Sequence, residues 1–353
     1  MKQLGFDGKI TELVSPQDLE GFTLARVVVE HRERYVVQTM EQTYSAEITG
    51  NLRFAAASRR DFPAVGDWVK ITPMDDESAI IFEVLPRTSV LERQAVGRQG
   101  EVQLIATNID FAFLVQAVGH DFNLKRMERY LALCHNSGIQ PIFLLTKADL
   151  ATPEEIEDLT QQVKARVKDM PVYAVSSMSQ AGLQELEGVW QPYATYCFLG
   201  SSGVGKSTLV NHLMGQAVQK TSAISDSTSK GRHTTSHREL IVLPNGSIVI
   251  DTPGMREVGM AESKAGIEHT YDDIAQLAED CRFSDCTHTT ETGCAVLQAL
   301  EDGDLDESAY ENYQKLMREQ EHFTSTIAER RQKSRAQGKL YRSVKKERNQ
   351  KKF

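Results

Sequence analysis

The sequence predicts a multidomain α/β protein that combines a small N-terminal β-barrel, a doubly wound and mostly parallel sheet, and a helical C-terminal domain. Three observations support this fold class. Residues 21–95 contain five short β-runs, residues from 105 onward alternate apolar runs with helical periodicity, and the chain beyond 260 is helical around a cysteine cluster. We therefore predict three domains, spanning residues 1–98, 99–260 and 261–353.

Composition places the chain among ordinary globular proteins. Of its 353 residues, 40% are hydrophobic and 25% are charged, which excludes wholesale disorder and fibrous repeats. No run of eighteen apolar residues occurs, and the start MKQLGFDGKI lacks the apolar stretch of a secretory signal, so we expect neither membrane span nor export. Five cysteines, an odd number, suit a reducing compartment better than a disulfide frame. We expect a monomeric cytoplasmic protein.

Charge is distributed unevenly along the chain. The segment from Arg330 to Phe353 contains eleven Lys or Arg residues and one acid, Glu347, for a local charge of +10. The rest of the chain has 29 basic and 48 acidic residues, for a net charge of −19. A basic tail on an acidic body predicts contact with a polyanion, and nucleic acid fits best. The alternative is a solvated chain end without a partner.

The N-terminal barrel is predicted from five strand-like runs separated by turn signals. Five strands in about 75 residues match the size of an OB-like barrel, which would bind RNA. An SH3-like barrel or a small sandwich without a nucleic-acid role fits the pattern equally well. The runs are TLARVVV, RYVVQTM, YSAEITG, DWVKITP and AIIFEVLP.

The middle of the chain alternates strands and helices. Strand candidates are IDFAFLVQAV, PIFLLT, VYAVSS and YCFLG. A helix with an apolar face from Leu124 to Cys134 ends at Gly138, and Thr152-Pro153 begins another helix. Near residue 240, ELIVL and SIVID flank Asn245-Gly246, which predicts an antiparallel hairpin with a type I′ turn.

A glycine-rich loop with the pattern GxxxxGK[ST] lies between the strand YCFL and the helix LVNHLM. Its glycines let backbone N–H groups surround phosphates, and its lysine neutralises the β and γ phosphates. The Ser207 hydroxyl is the expected Mg²⁺ ligand. The alternative is a flexible turn without a ligand. The predicted binding residues are Gly200, Ser201, Ser202, Gly203, Val204, Gly205, Lys206, Ser207 and Thr208.

Asp251-Thr252-Pro253-Gly254 follows the strand SIVI and forms a DxxG element. A carboxylate at this place holds the Mg²⁺ water shell, so Asp251 is a predicted magnesium residue. The amide of Gly254 is placed to contact the γ-phosphate. The element is weak alone, but it lies at the C-terminal end of a strand, where ligands of such sheets bind.

Thr146-Lys147-Ala148-Asp149 follows the strand PIFLL. A carboxylate there accepts the N1 and N2 protons of guanine, and adenine offers no such donor pair, so Asp149 predicts GTP. Lys147 would lie over the base, and Ser176 with Ser177 would complete the base pocket. The alternative for this tetrapeptide alone is a solvated helix start.

The order of these motifs is unusual, because the base-recognition elements at 146 and 176 precede the phosphate loop at 200 and DxxG at 251. Joining the old termini and opening the chain elsewhere leaves one edge of a sheet intact. The sequence therefore predicts a circularly permuted P-loop GTPase domain.

A second cluster offers metal ligands. Cys281, Cys286, His288 and Cys294 supply three thiolates and one imidazole within fourteen residues, enough for one tetrahedral Zn²⁺. Four protein ligands leave no position for water, so we expect a structural zinc that stabilises a helical domain. The alternative is a set of reduced cysteines without metal.

The permuted motif order, the GRHTT segment, LPRTSVLER after the barrel and the Cys/His cluster resemble the RsgA family, bacterial GTPases of small ribosomal subunit biogenesis. The resemblance extends over roughly residues 20 to 340. It implies GTP hydrolysis stimulated by the small (30S) subunit, and OB and zinc domains that bind ribosomal RNA during late maturation. It also implies that Thr235, with Thr234 beside it, is the switch I threonine that contacts Mg²⁺.

Two positions depart from the common GTPase pattern. Thr146 stands where many GTPases have asparagine, so we expect a weaker polar tie between the base and phosphate loops. Met255 follows DTPG, where Ras-like enzymes have the glutamine that positions water. His233 is the nearest substitute, and the resemblance supports it as catalytic together with Thr235. The alternative is a histidine that only docks its loop.

Two functions remain open on these grounds. The first is an Mg²⁺-dependent GTPase that binds the small subunit and leaves after hydrolysis to GDP. The second is an RNA-binding assembly factor that nucleotide regulates and in which hydrolysis is incidental. Multiple turnover at the ribosome distinguishes them.

Overall fold

The computed structural model describes residues 2–6, 12, 19–31, 34–94, 102–167, 169–214, 238–251 and 264–324. Within this part of the chain, residues up to Thr270 form one compact unit and residues from Tyr271 onward form a second. The barrel and the central sheet both lie in the first unit, so the division into three domains stays a prediction.

Five strands form the N-terminal barrel. They are β1 (Thr23–His31), β2 (Arg34–Gln38), β3 (Thr43–Ile48), β4 (Trp68–Pro73) and β5 (Ser78–Val84). The hydrogen-bonded order is β1-β2-β3-β5-β4, and β4 pairs again with β1, so the barrel closes. A short helix, α1 (Gly50–Ala55), lies between β3 and β4. This architecture confirms the predicted OB-like barrel.

The barrel core follows from the alternation of side chains along each strand, since residues two apart point to the same side. Each strand contributes two buried residues at that spacing. They are Ala25, Val27, Tyr35, Val37, Tyr44, Ala46, Val69, Ile71, Ala79 and Ile81.

A hairpin that the sequence analysis did not predict follows the barrel. It consists of β6 (Val90–Gln94) and β7 (Val102–Thr107), which pair antiparallel. The fully buried carboxylate of Asp67 accepts hydrogen bonds from both Arg87 Nε (2.7 Å) and the Thr107 hydroxyl (2.6 Å). Asp67 therefore holds the end of the barrel against the segment that leads to the central sheet.

The central sheet contains β8 (Phe111–Ala117), β9 (Gln140–Thr146), β10 (Val172–Val175), β11 (Thr195–Leu199), β12 (Glu239–Val242) and β13 (Ile248–Asp251). Its order is β10-β9-β8-β11-β13-β12, with every pair parallel except β12 and β13. The predicted hairpin is therefore confirmed. The predicted type I′ turn is wrong, because that turn needs positive φ at both central residues and only Gly246, with φ 83°, has it. The Asn245 side chain instead accepts the Ser247 N–H at 3.0 Å.

Helices cover both faces of this sheet, which confirms the doubly wound prediction. They are α2 (Leu124–Ser137), α3 (Pro153–Arg166), α4 (Leu183–Glu187) and α5 (Lys206–Met214), and α6 (Lys264–Thr270) packs against α2. α2 and α3 pack into the core on one face, and α4 and α5 into the core on the other. Adjacent residues of one strand supply opposite faces, as Leu114 and Phe113 of β8 do.

The barrel and the central sheet are joined by hydrogen bonding. Val29 of β1 pairs antiparallel with Glu239 of β12, so eleven strands form one continuous sheet. Arg26, also in β1, is 1% exposed. A buried guanidinium is tolerated only when its N–H groups are satisfied. Its acceptors are the carbonyls of Leu4, Gly66 and Asn108 and the hydroxyl of Thr195.

The second unit is helical over its described residues. Its helices are α7 (Asp272–Glu279), α8 (Ala295–Asp302) and α9 (Glu307–Thr324). Across both units, none of the helices that the structure describes combines the length and the apolar character needed to span a membrane. The basic tail from Arg330 to Phe353 lies outside the described residues.

Candidate functional site

Five parallel strands of the central sheet end along one edge. Ala117 of β8 lies beside Thr146 of β9, which lies beside Val175 of β10. Leu199 of β11 pairs with β8, and β11 pairs with β13, which ends at Asp251. We call the loops that follow these five strand ends the strand-end edge. Most of the residues that the sequence analysis assigned to nucleotide binding lie on it.

The phosphate loop links β11 to α5. A Cβ on Gly200 would lie 2.4 Å from the Val115 carbonyl oxygen, and Gly205 has φ 99°, so both positions require glycine. The Lys206 ammonium donates to the carbonyls of Gly200 (2.7 Å) and Ser201 (2.5 Å). The lysine is therefore held inside the loop, where it can neutralise an anion. Four further residues of the loop and first turn are exposed: Ser202, Gly203, Ser207 and Thr208.

The predicted base-recognition residues also come together. Lys147 has φ 57°, a left-handed conformation that turns the chain at the end of β9. The exposed Asp149 accepts a hydrogen bond from the buried Ser176 hydroxyl, and Ser176 Oγ accepts the N–H of Ser179 at 3.0 Å. Ala148 and Ser177 adjoin these two residues and are half-buried. The structure thus presents a carboxylate with a fixed orientation at this edge.

Thr146 connects the base loop to the phosphate loop. Its hydroxyl lies 2.5 Å from the Val204 carbonyl oxygen and 3.2 Å from the Gln116 carbonyl oxygen. Both Thr146 and Val204 are buried, so water does not compete for this hydrogen bond. Threonine in place of asparagine was expected to weaken the polar contact between the base loop and the phosphate loop. The threonine hydroxyl nevertheless supplies a hydrogen bond between these two loops.

Asp251 lies at the end of β13, close enough to Lys206 for the two charges to interact. Burial raises the pKa of the Asp251 carboxyl, and the Lys206 ammonium opposes that effect. A half-buried carboxylate beside the phosphate loop suits a divalent cation, because oxygen ligands are those that Mg²⁺ prefers. Thr252, Pro253 and Gly254 lie outside the described residues.

The four predicted metal ligands of the second unit form one cluster. The ligand atoms of Cys281, Cys286, His288 and Cys294 all lie within 4.8 Å of one another. Cys281 Sγ lies 3.8 Å from Cys294 Sγ and 3.5 Å from His288 Nδ1. A tetrahedron with metal–sulfur distances of about 2.3 Å has edges of about 3.8 Å. The cluster could therefore hold a metal ion.

Three partners around this cluster were missed by the sequence analysis. The Glu291 carboxylate accepts hydrogen bonds from the Thr287 hydroxyl and from the backbone N–H groups of Thr287 (2.9 Å) and Thr289 (2.9 Å), which hold the pKa of that carboxyl well below its usual range. The Tyr310 hydroxyl donates to the His288 carbonyl oxygen at 2.6 Å, and Gln314 donates to the Thr287 carbonyl oxygen at 3.1 Å. These contacts fix the loop that carries His288, whose φ is 55°.

Comparison with known proteins agrees with this geometry. The sequence model of the RsgA GTPase family matches residues 84–261. The Vibrio parahaemolyticus protein named Small ribosomal subunit biogenesis GTPase RsgA 2 is 40% identical over 344 residues, which cover 98% of this chain and 92% of the relative. The Listeria monocytogenes protein of the same name is 47% identical over 298 residues, which cover 83% and 82%. The chain belongs to the RsgA GTPase family.

Two solved structures confirm the fold. YjeQ from Thermotoga maritima is 25% identical with a TM-score of 0.61, and the match covers 85% of this chain and 98% of that one. YloQ, described as a circularly permuted GTPase, is 26% identical with a TM-score of 0.60, and the match covers 89% and 100%. The prediction of a circularly permuted domain is confirmed.

Four predicted residues of this RsgA family member lie outside the described residues: His233, Thr234, Thr235 and Gly254. Their assignments stay predictions. Arg238, the first described residue after the GRHTT segment, donates to the Leu104 carbonyl oxygen at 2.8 Å and lies 3.5 Å from Glu30 of the barrel. The described end of this segment is therefore attached to the barrel side of the unit.

The hydrogen bond between the Thr146 hydroxyl and the phosphate loop leads to a first testable prediction. Thr146→Val keeps the shape of the side chain but removes the hydroxyl, which leaves the buried Val204 carbonyl without this donor. We expect GDP affinity to fall about tenfold, because the free energy lost when a buried acceptor has no hydrogen-bond donor corresponds to a factor of roughly ten in a binding constant. Isothermal titration calorimetry with GDP measures the effect.

Thr146→Ser is the matched control for this prediction, because serine keeps a hydroxyl at the same place. It should bind GDP within about twofold of the unchanged protein. Equal affinities of Thr146→Val and the unchanged protein would show that the tie does not support nucleotide binding.

Proposed function

We propose that the strand-end edge binds GTP with Mg²⁺, and that this RsgA family member hydrolyses GTP to GDP and phosphate during maturation of the small (30S) ribosomal subunit. The observation that carries this proposal is the convergence of separate loops. Thr146 bonds the phosphate loop at Val204, and Asp149 is held by Ser176 beside it. One nucleotide bound across this edge would contact both loops.

The phosphate loop supplies the groups that bind the triphosphate. Backbone N–H groups of residues 200–208 and the start of α5 favour negative charge, and Lys206 provides the cation. Ser207 and Asp251, with Thr235, are the residues that would hold Mg²⁺. When bound, Mg²⁺ neutralises charge that develops on the phosphate oxygens. Gly254 and Thr234 would contact the γ-phosphate side.

Asp149 would select the base. Its carboxylate offers two acceptor oxygens to the N1 and N2 protons of guanine, while Lys147 covers the base plane and Ser176 fixes the carboxylate. A site built around hydrogen bonds rejects an analogue that leaves its polar groups unpaired by large factors. GTP should therefore be strongly preferred over ATP.

The second prediction concerns this selection. Asp149→Asn replaces one acceptor oxygen with an N–H donor, which faces the N2 amino group of guanine but suits the C2 carbonyl of xanthine. We expect GTP turnover to fall at least about 100-fold and XTP turnover to appear, as judged from phosphate release.

These assays are run with and without purified small ribosomal subunits. We expect slow turnover alone and multiple turnover when subunits are added, with ATP inactive in both cases. Unchanged GTP preference in Asp149→Asn would contradict the base assignment. Release of only one phosphate per subunit-bound protein would favour an RNA-binding factor in which hydrolysis is incidental.

We propose that His233 orients the attacking water, because Met255 follows DTPG and its thioether cannot orient a water molecule. The third prediction is that His233→Ala lowers the subunit-stimulated kcat about 100-fold with little change in KM, since the lost interaction acts in the transition state. Quench-flow measurement of phosphate release provides both parameters.

The control variant is His120→Ala, which replaces a histidine in the loop after β8. This variant should keep the full turnover stimulated by the subunit. A His233→Ala protein with unchanged stimulated kcat would remove the catalytic assignment. It would favour a docking role for this histidine.

The partner we propose is the small ribosomal subunit and its RNA. The relatives are named for the biogenesis of this subunit. The basic segment from Arg330 to Phe353 and the OB-like barrel would contact RNA phosphates, and such contacts weaken steeply with salt. We propose that the protein acts as a monomer in the cytoplasm, where ribosomal subunits mature.

We propose that the Cys/His cluster binds one structural Zn²⁺. Three thiolates and one imidazole whose ligand atoms lie within 4.8 Å of one another form a donor set that suits Zn²⁺ and leave no position for a reacting water. The ion would link the loop of Cys281 to the start of α8, where Cys294 is the N-cap residue. The metal therefore would stabilise the second unit and take no part in hydrolysis.

The fourth prediction tests the support around this ion. Freshly purified protein should contain one zinc per chain by atomic absorption. Glu291→Gln removes the charge that holds the loop N–H groups, so zinc should pass to a chelating dye about tenfold faster. The exposed Glu301→Gln on α8 is the control and should match the unchanged protein. Protein without zinc would overturn the assignment.

A further inference from the structure

One side chain from outside the recognised motifs contacts the phosphate loop. Arg126 belongs to the first turn of α2, and its Nη1 donates to the Ser201 hydroxyl at 2.6 Å. The same nitrogen donates to Asp121 Oδ1 at 2.9 Å. A guanidinium nitrogen of this type has two hydrogens, so both hydrogen bonds form together. The phosphate loop is thus bonded to the loop between β8 and α2.

The first turn of α2, which carries Arg126, is itself fixed in position. Gln116 of β8 is 1% exposed, and its side chain both accepts from the Asn123 N–H (2.7 Å) and donates to the Asn123 carbonyl oxygen (3.0 Å). Asn123 in turn is the N-cap of α2, because its Oδ1 accepts the Arg126 N–H at 2.9 Å. The first turn of α2 is therefore tied to the sheet, and Arg126 starts from a rigid position.

The phosphate loop needs such support, because its three glycines at 200, 203 and 205 give it many conformations in the absence of constraints. Its N–H groups bind phosphates well only when they are already oriented, since ordering a loop on binding costs affinity. Thr146 holds the loop at Val204. Arg126 holds it at Ser201, near the other end.

We propose that Arg126 is a positioning residue of the phosphate loop, which it holds through the Ser201 hydroxyl and thereby raises the affinity for guanine nucleotides. This inference rests on the proposed GTP site. Arg126 acts through Ser201 and touches no reacting atom. Its loss should therefore affect binding of GDP and GTP alike and leave the chemical step unchanged.

The experiment is a double-mutant cycle on Arg126→Gln and Ser201→Ala, with GDP binding measured by isothermal titration calorimetry. Each single variant should weaken GDP binding about tenfold, and the double variant should bind no more weakly than either one, because both remove the same hydrogen bond. In steady-state hydrolysis, KM for GTP should rise by the same factor with kcat within about twofold.

Lys125→Gln is the matched control, because it makes the same change of charge at the neighbouring, exposed position of α2. It should bind GDP as the unchanged protein does. An equal loss in Lys125→Gln would assign the effect to long-range charge and overturn the proposal. Additive losses in the double variant, or a fall in kcat at constant KM, would also overturn it.

The single variant Ser201→Ala also serves as a control for Asp121, because removal of Arg126 takes away the partner of this carboxylate. Ser201→Ala leaves the ion pair of Arg126 and Asp121 in place, so it tests the loop contact even where Arg126→Gln fails to fold. GDP affinity unchanged in Ser201→Ala would overturn the proposal. If the protein without substitutions binds no GDP, the proposed function is overturned as well. If it binds GDP but the losses of affinity in Arg126→Gln and Ser201→Ala add up in the double variant, only the role of Arg126 is overturned.

Discussion

The parallel register of the central sheet is the constraint on which the rest of the site depends. Parallel strands end at the same edge whatever their order in the chain, so Thr146, Val175, Leu199 and Asp251 all finish beside one another. Permutation changes which loops join these strands and leaves the edge unchanged. The polar ties across the edge then convert this proximity into a defined geometry, in which the Thr146 hydroxyl bonds the phosphate loop.

The same unit attaches this sheet to the barrel through β12 and the buried Arg26. Four oxygens from separate segments accept from that guanidinium, so a large part of the unit must be folded before the charge is satisfied. Arg238 adds a contact between the described start of the β12 segment and Glu30 of the barrel. The barrel and the nucleotide site therefore occupy adjoining parts of one continuous sheet.

The sequence was sufficient for the features that depend on local pattern. Short strand-like runs separated by turn signals predicted the five barrel strands, and glycines with a lysine at fixed spacing predicted the phosphate loop. Contacts between distant residues left no such signal: Arg126 and Ser201 are separated by 75 positions, and Tyr310 reaches back to His288 across 22. The turn at Asn245 was mispredicted because its side chain bonds Ser247 and the backbone keeps an ordinary conformation.

The central claim is that one guanine nucleotide spans the base loop and the phosphate loop of this edge. A crystal structure of the full chain with GDP and Mg²⁺ tests it most directly. We expect the Asp149 carboxylate within hydrogen-bond distance of guanine N1 and N2, and the Lys206 ammonium within hydrogen-bond distance of the β-phosphate of the same molecule. GDP bound elsewhere, or touching only one of these two residues, would contradict the account.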